Sequence, residues 1–177
     1  ELEESYDTKR KKYTKEYVIE SLSSLTQDEL IDLLLLNPSI EISTGDKITG
    51  FKYNSIPLRP LSNLVFTRDQ QIVTDKGVVV GRFTPEQRLP ENKIMEFVWK
   101  QLGVKPKRIQ APGTLEGGDY IPLGEDLALL GVGFRTNLEG AQQLMRNGWV
   151  GAKKLVLVCY ENDLNQERMH LDTIFNV

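Results

Sequence analysis

The sequence has almost none of the residues that build metal centres or covalent frameworks. It holds one cysteine, Cys159, and one histidine, His170. A lone cysteine excludes an internal disulfide and suits a reducing, cytoplasmic setting. One cysteine and one histidine cannot assemble a zinc site of the usual kind, so no metal is expected. No apolar run is long enough to span a bilayer, and the opening residues carry no signal-peptide pattern. Strong charge of either sign is also missing. Lysine and arginine number 22 against 25 aspartate and glutamate, and the net charge of −3 draws the chain neither to nucleic acid nor to anionic membrane. The first residue is Glu1 rather than methionine, which leads us to expect a fragment or a processed chain.

What is there is ordinary globular material. The 177 residues are 40% hydrophobic and 27% charged, enough for one domain with or without an appendage. Residues from Glu1 to about Ser43 read as helical. Lys9-Arg10-Lys11-Lys12 is best taken as a solvated helix face. Tyr13, Tyr17 and Ser21 fall at helical spacing beside an apolar stripe of Val18, Leu22 and Leu25. Thr26 and Glu29 fit a capping box for a second helix carrying Leu30 to Leu36, which Asn37-Pro38 should stop. Between Ser43 and Ser62, Gly45, Gly50, Pro57 and Pro60 rule out a long helix and suggest a loop with short extended pieces.

From Phe66 the chain repeats itself. An extended stretch through Val73 turns at Asp75-Lys76-Gly77 and returns along Val78-Val79-Val80. A connection from Arg82 to Glu91 contains Pro85 and Pro90. An amphipathic helix from Asn92 to Leu102 follows, its apolar face made of Ile94, Met95, Phe97, Val98 and Leu102 and its C-cap Gly103. Lys107 to Gln110 reads as a strand. The second copy starts at Leu115-Glu116-Gly117-Gly118-Asp119-Tyr120, where paired glycines allow a sharp turn and a close approach. It continues as a hairpin to Gly133 turning at Gly124-Glu125-Asp126, a helix after Phe134-Arg135-Thr136-Asn137, and a buried strand from Lys153 to Tyr160. A third copy opens at His170-Leu171-Asp172-Thr173. Asp69 and Asp119 are 50 residues apart and Asp119 and Asp172 are 53 apart, a period that argues for a circular or solenoid array.

If each copy enters its first strand at one level, Asp69, Glu116 or Asp119, and Asp172 converge near an axis. Converging carboxylates repel one another and want a cation, and a guanidinium matches them with its planar fork of donors. Any one of these aspartates alone is better read as a turn former. Three in register beside the only histidine favour a site. His170 and Asp172 are two apart, so on a strand both would face one way, with His170 placed for acid–base work. Arg88 and Arg135 each follow their acid, Asp69 and Glu116, by 19 residues, and at the rim could hold a carboxylate at the far end of a ligand.

Asn63-Leu64-Val65-Phe66-Thr67-Arg68-Asp69, Leu115-Glu116-Gly117-Gly118-Asp119, Gly131 through Arg135-Thr136, and His170-Leu171-Asp172-Thr173 together resemble arginine deiminase, in family order. The resemblance covers Pro57 to Val177 well, and Gln70-Gln71 points to a protist-like branch. It implies an α/β fold: a fragment of a five-fold pseudosymmetric propeller of ββαβ units, about two complete units plus the start of a third. Residues 1–42 would be a helical insertion segment and 43–177 a partial catalytic domain, truncated at both ends. Asp69 and Asp172 would grip the guanidinium of L-arginine, Glu116 and His170 would handle protons, and Asn63, Arg88 and Arg135 would bind the α-carboxylate. Phe66 would line the pocket. The implied reaction is cysteine attack on the guanidinium carbon, loss of ammonia, and hydrolysis of an amidino-thioether to citrulline, without cofactor or metal. Cys159 lies in a buried-strand pattern that suits an inert thiol, so the nucleophile is expected outside this chain and the chain alone is expected to be inactive. Two other readings stay open: an amidinotransferase or dimethylarginine hydrolase relative, and a non-catalytic truncated arginine-binding module. Open strand edges lead us to expect a homo-oligomer, with no nucleic-acid or membrane partner.

Overall fold

The computed structural model describes residues 14–38, 41–43, 53–55, 58–61, 63–160, 166–175 and 177. The basic run at Lys9, Tyr13, Gly45, Gly50 and Pro57 lie outside them. The chain divides into two compact units, Glu1–Pro60 and Leu61–Val177.

In the first unit, helix α1 (Lys15–Ser23) starts under the side chain of Thr14, which accepts from the Tyr17 amide. Helix α2 (Gln27–Leu36) has the expected capping box: Thr26 Oγ1 accepts from the Glu29 amide and Glu29 accepts from the Thr26 amide at 2.8 Å. Asn37, left-handed at φ 43°, ends it. Neither helix has a fully buried residue, so the leucines of α2 keep part of their surface in the open. The helical reading does not hold to Ser43. β1 (Glu41–Ser43) pairs antiparallel with β2 (Tyr53–Ser55), because past Asn37-Pro38 the backbone can no longer continue its helical bonds.

The second unit contains two copies of one ββαβ motif. In the first, β3 (Gln71–Thr74) pairs antiparallel with β4 (Gly77–Val80), helix α3 (Leu89–Gln101) crosses over, and β5 (Lys107–Arg108) returns parallel to β4. In the second, β6 (Tyr120–Pro122) and β7 (Leu127–Val132) form the antiparallel pair. Helix α4 (Leu138–Arg146) crosses over, and β8 (Lys154–Cys159) lies parallel to β7. Each sheet therefore has a central strand between an antiparallel and a parallel neighbour. That position explains the unbroken valine run of β4, whose Val78, Val79 and Val80 are all buried. One apolar cluster, with Ile72, Val79, Leu115, Leu130 and Leu144, serves both motifs. Arg82 and Leu115 exchange backbone hydrogen bonds at 3.1 and 3.0 Å and join them.

Two expectations are corrected. Helix α3 begins earlier than Asn92, with Pro90 in its first turn, where a missing amide proton costs nothing. Its buried residues are polar, Glu91 and Asn92, while Phe97 and Leu102 are 61% and 67% exposed. Strand β8 is present but not buried. It is an outer strand of its sheet, and Cys159 is exposed. A continuous apolar run, here Leu155 to Cys159, does not distinguish a central strand from an outer one.

Candidate functional site

Three turns, one from each in-register block, come together. The first is a nest of turns over residues 63–70, where Phe66 N–H donates to Asn63 O and Asp69 N–H to Phe66 O, both at 3.0 Å. The second is the 3₁₀ turn Gly117–Asp119 and the third the 3₁₀ turn Leu171–Thr173. Gly117 N–H donates to Asp69 O at 2.9 Å, locking the first turn to the second. A Cβ on Gly117 would lie 1.9 Å from Arg68 O, so only glycine allows that approach. The third turn is held by Asp119. Its carboxylate is fully buried and accepts from Leu171 N–H at 3.0 Å, from Thr136 Oγ1 at 2.6 Å and from the Tyr160 hydroxyl. Gly118 leaves room for the imidazole: a Cβ there would meet His170 Nδ1 at 2.6 Å.

Four of the expected residues, Asp69, Glu116, His170 and Arg88, meet directly. His170 Nε2 is 2.7 Å from Glu116 Oε2, and His170 Nδ1 is 3.7 Å from Asp69 Oδ1. The Arg88 guanidinium reaches Asp69 at 3.3 Å and Glu116 at 3.5 Å, and stacks on Phe83 with its carbon 4.0 Å from the ring centre. Arg135 Nη1 is 3.8 Å from Glu116 Oε1. Neither arginine stands at an exposed rim; Arg88 is 6% and Arg135 8% exposed. His170 and Asp172 are not on a strand. His170 precedes the 3₁₀ turn and Asp172 lies within it, with its carboxylate 3.2 Å from Arg68 Nε. Asn63 contributes its carbonyl to the first turn, and Phe66 is 59% exposed.

Sequence reasoning missed Glu91 and gave Gln70 no site role. Glu91 Oε2 accepts from Arg88 Nη2 at 3.0 Å and from Gln70 Nε2 at 2.9 Å, and all three side chains are buried. The clue was available: Arg88 and Glu91 are three apart in a helical turn, a spacing at which opposite charges meet. The prolines on either side made the segment read as a connection.

Burial pushes the His170 imidazole down, but the Glu116 hydrogen bond and the nearby carboxylates outweigh it and raise its pKa. Burial raises Asp119, opposed by its hydrogen bonds from Thr136 and Tyr160, and burial likewise raises Asp172 against the pull of His170 and Arg68. For Arg88, burial works against the charge and the Glu91 bond and carboxylate field restore it, leaving the pKa raised. One ligating atom each from Asp69, Glu116 and His170 lies within 4.8 Å of the others, close enough to share a small cation. Arg88 already places positive charge against both carboxylates, which works against a divalent ion there. Three buried polar atoms have no hydrogen-bond partner among the described residues: Gln70 Oε1, and two on facing side chains, Glu116 Oε1, an acceptor, and Arg135 Nε, a donor. Such atoms are costly unless a ligand or water completes them.

A sequence profile of the arginine deiminase family matches residues 2–177. The arginine deiminase of Listeria welshimeri is 29% identical over 91% of this chain and 43% of its own length. Arginine deiminase 1 of Staphylococcus epidermidis is 28% identical over 89% of this chain and 42% of its own. The chain thus spans less than half the length of these curated relatives. Among solved structures, dimethylarginine dimethylaminohydrolase from Pseudomonas aeruginosa, a cysteine-to-serine mutant complexed with citrulline, is 32% identical. Its TM-score is 0.51 over 60% of this chain and 42% of that one.

Proposed function

Because the chain belongs to the arginine deiminase family, we propose that it is part of a longer enzyme that hydrolyses L-arginine to citrulline and ammonia. One observation carries this reading: Glu116 Oε1 and Arg135 Nε, beside the Asp69–Glu116–His170 cluster, are a buried acceptor and a buried donor without hydrogen bonds, which a ligand carrying both kinds of group would complete. L-Arginine has a guanidinium at one end and a carboxylate at the other. In this reading Asp69 and Asp172 hold the guanidinium, and Arg135, Arg88 and Asn63 bind the α-carboxylate, with Phe66 over the chain between. A thiolate from outside these residues attacks the guanidinium carbon, and the C–N bond to the departing ammonia breaks as His170 supplies a proton. His170, with Glu116, then takes a proton from water, which attacks the thioether carbon and releases citrulline and the thiolate.

The same reading makes the two ββαβ motifs part of a pseudosymmetric ring, residues 1–42 a helical insertion, and self-association through open strand edges a property of the protein. On its own the chain would not turn over substrate. The likeness to dimethylarginine dimethylaminohydrolase supports a second reading, in which the substrate carries methyl groups on the guanidinium. Product analysis on the longer protein decides. Citrulline with free ammonia from L-arginine supports the deiminase. Dimethylamine from dimethylarginine, with L-arginine untouched, supports the hydrolase relative, and transfer of the amidino group to an added amine sinks both.

A further inference from the structure

The Arg88 guanidinium competes with any bound guanidinium for the same carboxylates, since it lies 3.3 Å from Asp69 and 3.5 Å from Glu116. Its shorter contacts run elsewhere. Glu91, on the first turn of α3, accepts from Arg88 Nε at 3.1 Å and from Nη2 at 3.0 Å, and is itself held by Gln70 Nε2 at 2.9 Å. Gln70 and Glu91 are 0% and 1% exposed, and Asn92, next along the helix, ties α3 to the Gln70 carbonyl at 3.3 Å. A buried carboxylate fixed from behind by an amide is a rigid anchor. We propose that Glu91 is a positioning residue. It draws the Arg88 guanidinium toward α3 and so limits how firmly Arg88 occupies Asp69 and Glu116, leaving Asp69 for the guanidinium of the substrate and Glu116 for its work with His170. Without this anchor, Arg88 has only Asp69 and Glu116 as counter-ions and settles on them.

This rests on the reading of Asp69 as part of the guanidinium grip with Glu116 beside it, so the test uses a probe that needs no turnover as well as the substrate. In the longer protein, Glu91→Gln, Glu91→Asp, Arg88→Met and the Glu91→Gln/Arg88→Met pair are compared. Binding of guanidinium ion at millimolar concentration is measured by calorimetry, and KM and kcat are measured with L-arginine. Glu91→Gln is expected to weaken guanidinium binding and raise KM by about ten-fold while kcat stays within about two-fold, with most of the change absent in the Arg88→Met background. Glu91→Asp, which keeps the charge, should recover part of the loss. Equal losses with and without Arg88 would mean that Glu91 acts by its own charge or by packing, and would overturn the proposal. So would a fall in kcat at unchanged KM, or a Glu91→Asp variant that folds but recovers nothing. If the wild-type protein makes no citrulline, the proposed function fails while the guanidinium comparison still decides the role of Glu91.

Discussion

At the scale of single residues, the site is governed by the contact between Glu116 and His170. Glu116 has no exposed surface and faces His170, Arg88 and Arg135 together. The folded chain raises the His170 pKa above 6.5, so the protonated imidazole is favoured in the native state over the unfolded one. The stabilisation is therefore complete below about pH 6.5 and is lost as pH climbs through the raised value. Denaturant unfolding of wild type across this window should show stability falling with pH, with the fall much reduced in Glu116→Gln, which lacks the main group that raises the imidazole. A slope unchanged by Glu116→Gln would mean that another group titrates there. Asp119 and Asp172 act in a separate, acidic window. Their raised pKa values mean that their contribution declines as pH rises from about 3.8.

At the scale of elements, the site is an arrangement of turns held by two adjacent glycines that differ in what they touch. An added methyl at Gly117 runs into the backbone, 1.9 Å from Arg68 O and 2.4 Å from Gln71 O, so the first turn must separate from the second. At Gly118 it meets the imidazole and, at 3.0 Å, Asp172 Oδ1. Gly117→Ala should therefore lower thermal stability by about 1–3 kcal/mol or more, whereas Gly118→Ala should lose mainly site function with a smaller effect on stability. Equal melting temperatures for the two variants would contradict this division. Helix α4 depends on a different local device. Asn137 Oδ1 accepts from the Gly140 and Thr114 amides, both at 2.9 Å, and its Nδ2 donates to Pro112 O, so Asn137→Ala should cost about 1–2 kcal/mol in unfolding experiments.

The legibility of the chain follows the same division. Turn residues, caps and the matched spacing of Asp69–Arg88 and Glu116–Arg135 are local or periodic, so the ββαβ motifs and most of the cluster could be read from sequence. The Arg88–Glu91 pair was legible from its i, i+3 spacing, but the buried contact of Glu91 with Gln70 from another element was not. Nor was the exposure of Phe97 and Leu102, since amphipathic spacing states which face is apolar and not what covers it. The 3₁₀ turn at Leu171–Thr173 is also invisible to periodicity, being a single turn set by the Asp119 carboxylate on Leu171 N–H.

At the scale of the whole molecule, the two ββαβ motifs and their shared core fix where the only thiol points. Cys159 pairs with Val132 at the end of β8, the outer strand on the parallel side of β7 among the described residues. Tyr160, the next residue, still bonds its amide to Val132 O at 3.0 Å and sends its hydroxyl to Asp119, beside the site. Side chains alternate along an extended chain, so Cys159 faces the opposite way from Tyr160 and stands in solvent rather than against Glu116 and His170. A thiol that attacks a guanidinium held by Asp69 must approach within bonding distance of the carbon between them. Cys159→Ser in the longer protein should therefore keep turnover of L-arginine within about two-fold of wild type, compared with the 10²-fold or greater loss expected on removing a nucleophile. Labelling gives an independent check. A thiol reagent should modify exposed Cys159, and mass spectrometry should locate the adduct on the peptide containing Leu157 to Tyr160. Abolished activity in Cys159→Ser with unchanged folding would show that β8 shifts in the longer protein to bring this thiol onto the cluster.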